Sequence, residues 1–490
     1  MITGKPDTQE NQPDVPVKPT PPAAMLVPGV PPETDRMQSV EGGAWGGKWV
    51  QGLGHFREDL TRLSIHLAKW ILLVLPLGFG VGTACAIFLW SLDGVTAFRI
   101  SHPWLLWCLP LFGALGALMY RWLGRDAEGG SNLVIDAIHE PGTGIPPRMA
   151  PLVYAGTLLT HLGGGSAGRE GTAVQMGGGI ASALAGWYRM GDSPDRAVLL
   201  MAGVAAGFSG VFGTPFTGAV FAMEVLALGR IQYKALAPCL IAALFADWAC
   251  GWWGVGHTHY HLESLALLGR HLDWLLLGKV ALAGVAFGLA GRLFSLMCHT
   301  LQAFFKTRLQ ATWARAVAGG CGVIGLACLF GQDYLGLGVT STHSGGVSIV
   351  SAFGEGGARP WCWLLKVLFT TLTVSSGFKG GEVTPLFFIG ATLGNTLAGL
   401  LHAPVDLFAG LGFVAVFAAT ANTPLACTVM AVELFGVGAG AHLGYFATAC
   451  FTAYLFAGHS GIYLSQRIGS AKYAGAPGAV ESRLGHVHQK

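Results

Sequence analysis

Gly168-Arg169-Glu170-Gly171-Thr172 places a carboxylate inside one of the most apolar regions of the chain. Residues 149–180 contain no other acid and are rich in glycine and small side chains. An ionised carboxylate at bilayer depth costs about 2.5–3.5 kcal/mol on insertion scales, so packing alone does not account for Glu170. The flanking glycines leave backbone N–H groups free to converge on one point, which suits an anion. A glutamate side chain is itself a tethered anion. The pentapeptide therefore predicts a route for a negatively charged solute in which Glu170 takes part.

The surrounding composition is that of a polytopic membrane protein, 52% hydrophobic and only 11% charged. The 74 glycines have no collagen period and fall largely within apolar stretches, which predicts close helix contacts and broken helices. A formal net charge of +3 implies no nucleic-acid partner. The ten cysteines are scattered without a CxxC and read as buried small hydrophobes, not as disulfides or metal ligands. Nine of the 24 prolines fall in the first 32 residues, and residues 1–64 are read as a disordered cytoplasmic segment. That segment lacks the basic start and short apolar core of a signal peptide, so residues 67–92 are expected to form the first span. Residues 471–490 are expected to be a short cytoplasmic tail.

Between these ends, residues 65–470 form a run of apolar segments. Several, such as 149–166, 195–210, 214–229, 361–376 and 424–437, are shorter than the ~20 residues an upright span needs. Glycine- and proline-punctuated segments of this length predict re-entrant or discontinuous helices that meet inside the protein. Arg121, Arg125, Arg148, Lys306, Arg308, Arg315, Arg467 and Lys472 mark the face expected to be cytoplasmic, and residues 254–273 the opposite one. The chain also repeats itself. Thr214-Pro215 has Glu224 ten positions after the threonine, and Thr423-Pro424 has Glu433 ten after. A glycine-rich break containing a glutamate precedes each, Gly168 by 46 positions and Gly381 by 42. Two repeats, roughly 104–253 and 313–457, predict a transporter with its site between them.

These residues resemble the CLC family of anion channels and anion/proton antiporters, the voltage-gated chloride channel family, over about residues 65–470. Gly168-Arg169-Glu170-Gly171 followed by a small residue is similar to that family's gating-glutamate motif. Gly380-Gly381-Glu382-Val383-Thr384-Pro385 is similar to a second anion-binding motif, and Tyr463 in Gly461-Ile462-Tyr463 to the anion-binding tyrosine. A further family motif has two candidates. Gly142-Thr143-Gly144-Ile145-Pro146 lies only 26 residues before Gly168 in a loop-like stretch, whereas Gly130-Ser131-Asn132 lies 38 before it and opens a helix-like run. The second has the better spacing. Thr172, in place of the proline usual in chloride-type members, and the Gly-Gly-Glu-Val-Thr-Pro motif resemble the fluoride-exporting subclass. So does Val225, which stands where chloride/proton exchangers commonly carry a proton-relay glutamate. Ser131 resembles the chloride type. The resemblance implies fluoride/proton antiport, with a chloride/proton antiporter or passive chloride channel as the alternative. It also implies a homodimer with one pathway per subunit.

The physical reading of these residues agrees. Helix N-termini at Ser131, Gly171 and Val383 would aim free N–H groups at one centre. Ser131, Asn132, Thr384 and Tyr463 add neutral donors that let an ion leave again. With Gly168, Arg169 and Thr172 these make up the candidate anion site. Ser131 and Asn132 could instead cap a helix, and Thr384 could bond its own backbone. Glu170 is the expected gate: ionised it occupies the anion site, protonated it leaves and carries a proton. Pairing with Arg169 is the alternative, weakened because adjacent helical residues do not face each other. Glu382 either supports the second break or helps couple protons. Glu224 and Glu433 are expected to be structural, near helix ends on the cytoplasmic side.

Two other signals point elsewhere. Gly164-Gly165-Ser166-Ala167-Gly168 fits the GxSxG pattern of serine hydrolases, with His161 five residues before the serine, but a nucleophile elbow needs a preceding strand. His257, His259 and His261, with His271 nearby, could hold a metal ion, although a solvated loop is the plainer reading. The expected protein is an all-α membrane transporter with inverted repeats, no cofactor, halide and protons as its solutes, and no enzymatic activity. A bacterial inner membrane with both termini cytoplasmic is its expected place.

Overall fold

The computed structural model describes residues 44–473 and 482–487, apart from residues 141, 143, 259, 270, 342, 344 and 439. Each apolar segment becomes a helix. The first half holds α1 (Ala44–Ser101), α2 (Leu109–Leu123), α3 (Gly130–His139), α4 (Met149–Leu162), α5 (Glu170–Trp187), α6 (Pro194–Phe212), α7 (Pro215–Glu224) and α8 (Leu236–Trp252). A short α9 (Ser264–Leu267) and the long α10 (Trp274–Arg308) lead to the second half. That half holds α11 (Thr312–Phe330), α12 (Cys362–Ser375), α13 (Val383–Leu401), α14 (Val405–Ala421), α15 (Pro424–Phe435) and α16 (Ala441–Phe456). Among the described residues, seven helices are long and apolar enough to cross a membrane, while α4, α12, α14 and α15 are shorter apolar helices. Exposed tryptophans stand at both ends of the bundle, Trp122 and Trp187 at one and Trp252 and Trp274 at the other, as an interfacial belt requires.

Glycine sets the spacing of the helix pairs. A Cβ on Gly177 of α5 would lie 2.1 Å from Gly203 O of α6, and one on Gly207 would lie 2.3 Å from Ala173 O. The second half uses the same device. A Cβ on Gly390 of α13 would lie 2.0 Å from Gly412 O of α14, and one on Gly394 the same distance from Phe408 O. Lipid tails are as apolar as leucine, so such close van der Waals packing, rather than burial from water, holds spans together. Aromatic stacking fills what remains. Phe387 and Phe413 stack at 3.9 Å between α13 and α14, a contact worth about 0.5–1.5 kcal/mol beyond its area.

The two halves are inverted relative to each other, and two glutamates show it. Glu224, at the end of α7, accepts from Leu425 N at 3.0 Å and Ala426 N at 2.7 Å, at the start of α15. Glu433, near the end of α15, accepts from Phe216 N at 2.9 Å and Thr217 N at 2.7 Å, at the start of α7. Each carboxylate satisfies the orphan donors of the other repeat's helix. The helices are therefore antiparallel, and the two acids lie at opposite ends. Glu433 is not on the side of Glu224, where the sequence placed both, because the second repeat is turned over.

Three further expectations need correction. Residues 44–64 are helical, not disordered: the proline cluster ends at 32, and Glu58 and Arg62 form an i,i+4 pair at 3.9 Å. Residues 44–62 and 63 onward belong to separate compact units. The tail beyond 470 is more than a polar extension. Leu484, which opens α17 (Leu484–Val487), is fully buried, and its N–H bonds Gln466 O at 2.7 Å. Of the cysteines, Cys321 and Cys328 are exposed on α11 and not buried.

Candidate functional site

Both glycine-rich breaks interrupt helices in the middle of the bundle. The chain leaves α4 through Gly163 and Gly164, whose φ of +80° favours glycine, and re-enters helix at Glu170. The second break leaves α12 through Gly377 and Gly380, with φ of +105° and +152°, and re-enters at Val383. They clasp one another as an antiparallel bridge. Gly168 N donates to Gly381 O at 2.5 Å and Gly381 N to Gly168 O at 2.7 Å. A Cβ on Gly381 would lie 2.6 Å from Gly171 N, so glycine is required for the approach.

The clasp sets the start of α5 against the start of α13. Glu170 is only 1% exposed. Its carboxylate accepts from Thr384 N at 3.1 Å and from Thr384 Oγ1 at 2.6 and 2.5 Å to its two oxygens. Arg169 N adds a bond of 3.1 Å. Thr384 thus bonds Glu170, not its own backbone. Arg169 does approach its neighbour: Nε lies 3.5 Å from Glu170 Oε1. Arg169 precedes the first helical residue, so the rule that adjacent helical residues diverge does not bind it. Nε donates no hydrogen bond among the described residues, and the carboxylate is held by the N-terminus of α13.

Two cavities flank this contact. One, a narrow space, is lined by Arg169, Glu170 and Thr384 together with His257, Thr258 and Tyr260 of the connection after α8. The other, also narrow, is lined by Ser131, Tyr463, Val174, Val225 and Phe221. Ser131 Oγ accepts from Gln175 Nε2 at 3.3 Å and does not simply cap α3. Tyr463 reaches this wall because a two-residue parallel ladder joins residues 467–468 to residues 227–228.

The remaining predicted residues are placed differently. Asn132 Oδ1 accepts from Ser465 N at 3.0 Å, which anchors the Tyr463 segment to α3. Thr172 Oγ1 meets Thr157 Oγ1 of α4 at 2.7 Å. Gly171 packs against Gly381, and Val383 is buried. Glu382 is half-buried, and its Oε2 lies 3.7 Å from where a Cβ on Gly171 would sit. Ser166 Oγ bonds Thr370 Oγ1 at 2.8 Å, while both ring nitrogens of His161 face carbonyls, Thr157 O at 2.9 Å and Ala167 O at 3.1 Å. The serine and the histidine therefore do not form a nucleophile pair. His259 lies outside the described residues. His261 lines a separate groove with Glu263 and Asp406, away from His257. Among the described residues no three His, Cys, Asp or Glu side chains are grouped to hold a metal ion.

A model of the voltage gated chloride channel family matches residues 112–458. The chain belongs to this family. A chloride/fluoride channel protein of Pseudomonas syringae pv. tomato is 46% identical over 440 residues, 88% of this chain and 94% of that one. The H(+)/Cl(-) exchange transporter ClcA of Cronobacter sakazakii is 28% identical, over 77% of this chain and 83% of that one. The crystal structure of a CLC-type fluoride/proton antiporter superimposes with a TM-score of 0.76 at 36% identity, covering 82% of this chain and 98% of that chain.

Three features of this CLC fold escaped the sequence reading. Gln175 was legible as a lone amide on an apolar helix. Lys366 was legible as a lone cation on α12. It is fully buried and donates to Tyr334 O at 3.1 Å and Gly336 O at 2.9 Å. Those bonds fix the connection after α11 over the first break, where Gly336 N meets Gly164 O at 3.4 Å. His257 had a sequence signal, but nothing in it pointed towards Glu170.

Proposed function

We propose that the protein exports fluoride across its membrane in exchange for protons, with Glu170 and the halide contending for one place. The observation that carries this reading is the Glu170 carboxylate resting on the start of α13, bonded by the amide and hydroxyl of Thr384. A free fluoride in that position would meet the same two donors and the same positive dipole end. Protonating Glu170 removes the charge that these donors complement. The neutral acid then leaves with its proton, and the anion takes its place. Halide and proton thereby travel in opposite directions, and an inward proton gradient drives fluoride out.

Selectivity for fluoride is supported by hard oxygen and nitrogen donors at the contact, by Thr172 and Val225, and by the similarity to the fluoride/proton antiporter. Chloride is the second reading. The Ser131 hydroxyl in the other cavity favours it, as does the likeness to an H(+)/Cl(-) exchange transporter. Arg169, Gly171 and Val383 at the same helix starts would complete the anion site, with Tyr463 on the wall of the second cavity, whereas the Gly168 N–H is taken by Gly381 O. Glu382 either supports the second break or passes protons, and Glu382→Gln distinguishes these by whether coupling survives. The protein would act as a homodimer in a bacterial inner membrane, with both termini and the face bearing Arg121 and Arg125 cytoplasmic.

Reconstitution in liposomes tests the proposal. Fluoride efflux accompanied by proton uptake, with chloride flux far smaller, is expected. Equal chloride flux would transfer the assignment to the chloride reading, and flux of either halide without proton movement would make the protein a passive channel.

A further inference from the structure

In this reading protons must reach Glu170 from the face opposite the basic one, yet Glu170 is buried there. The connection after α8 descends into that route and brings a histidine with it. His257 shares a cavity wall with Glu170 and Arg169. Its ring packs on the turn that ends α6, where a Cβ on Gly213 would lie 2.5 Å from His257 Cδ2. Tyr260 anchors the same segment, its ring 5.4 Å from that of Phe353 and 5.2 Å from that of Phe413. On the solvent side, His257 Nε2 lies 4.0 Å from Asp247 Oδ1 of α8, whose side chain is 36% exposed.

We propose that His257 relays protons between the outer solution and Glu170, with Asp247 as the neighbouring acid on its solvent side. The proposal rests on the antiport reading above. An imidazole suits the task because one nitrogen can accept a proton while the other gives one up, and because it titrates near neutral pH. The cavity has room for about one water to complete the path to the carboxylate.

The charges around His257 come from several elements. Asp247 faces it from α8, and Glu433 of α15 acts on Asp247 from beyond. Arg169 and Glu170 face it across the cavity from the start of α5, and Tyr260 lies on its own connection.

The test uses the full chain in liposomes, with fluoride efflux and proton uptake recorded together as the outer pH is varied. Both His257→Gln and His257→Ala are expected to lose about ten-fold in rate near pH 8, where free protons are scarce, and little near pH 5.5. The fluoride-to-proton ratio is expected to stay that of the wild type. Imidazole added outside should restore His257→Ala, whereas imidazole trapped inside should not. Asp247→Asn should shift the wild-type pH profile towards lower pH. His261→Gln, in the separate groove, should behave as wild type. A purely structural role would depress the rate equally at every pH and would not respond to imidazole. That result, or unchanged profiles for both His257 variants beside a coupled wild type, overturns the relay and leaves the antiport reading intact. A wild type that moves fluoride without protons overturns both.

Discussion

The two repeats touch through glutamates in two places, and the places differ in symmetry. At the pair α7 and α15 the exchange is mutual, since Glu224 binds the start of α15 and Glu433 the start of α7. At the central breaks it runs one way. Glu170 of the first repeat binds the start of α13, whereas Glu382 of the second is half-buried beside Gly171. A mutual exchange satisfies every donor it can and has no unused state, which is what a structural joint needs. In the proposed exchange the one-way contact would have a second state, with the carboxylate gone and an anion in its place. The proposed function sits where the inverted symmetry fails.

Substitutions can break or sharpen that contrast. The largest effect is expected of Glu170→Gln, which should abolish proton uptake while halide still flows down its gradient; coupling that survives would remove the central contact from the mechanism. Gly381→Ala comes next, because its Cβ would press on Gly171 N at 2.6 Å. Overpacking of this kind costs about 1–3 kcal/mol, so both melting temperature and flux should fall, and an unperturbed melting curve would contradict the clasp. Thr384→Val removes a hydroxyl bonded to a charged group, worth about 1.5–3 kcal/mol. At low pH, where a neutral Glu170 no longer competes, half-saturating fluoride should rise about ten-fold while the amide of residue 384 keeps some binding. Smallest in functional effect are Glu224→Gln and Glu433→Gln. Each should lower the melting temperature by a similar amount, and the losses should add because the sites lie at opposite ends. Proton coupling should be untouched by either, and a loss of coupling in one alone would show that the outer joint is not symmetrical.

Much of the fold was legible because lipid imposes simple rules. Apolar segments bounded by Gly, Pro and charges became helices, and the Thr-Pro spacings located the repeat. Glu170 was legible for the same reason, as an acid that an apolar run does not tolerate without cause. What escaped is tertiary. The bond between Glu170 and Thr384 joins residues 214 positions apart, and no local pattern encodes it. The placement of Asn132 was missed because an amide beside a helix start serves a ligand or a neighbouring chain segment equally well. Here it holds Ser465. Glu433 was put on the wrong face because the inversion expected of the repeats was not carried through to α7 and α15, whose ends it sends in opposite directions. His257 read as solvated because hydrophilic loops usually are, and only the fold brings it to the cavity beside Glu170.

The glycine bridge between residues 168 and 381 constrains how the protein can turn over. It ties the two halves together at the central breaks through two short backbone bonds, so a large rigid-body swing of one half against the other would have to break both. Under the proposed function, exchange by rotation of single side chains would leave this bridge intact. The cycle time would be set by how quickly a carboxylic acid can turn, and not by the slow pivoting of helical blocks.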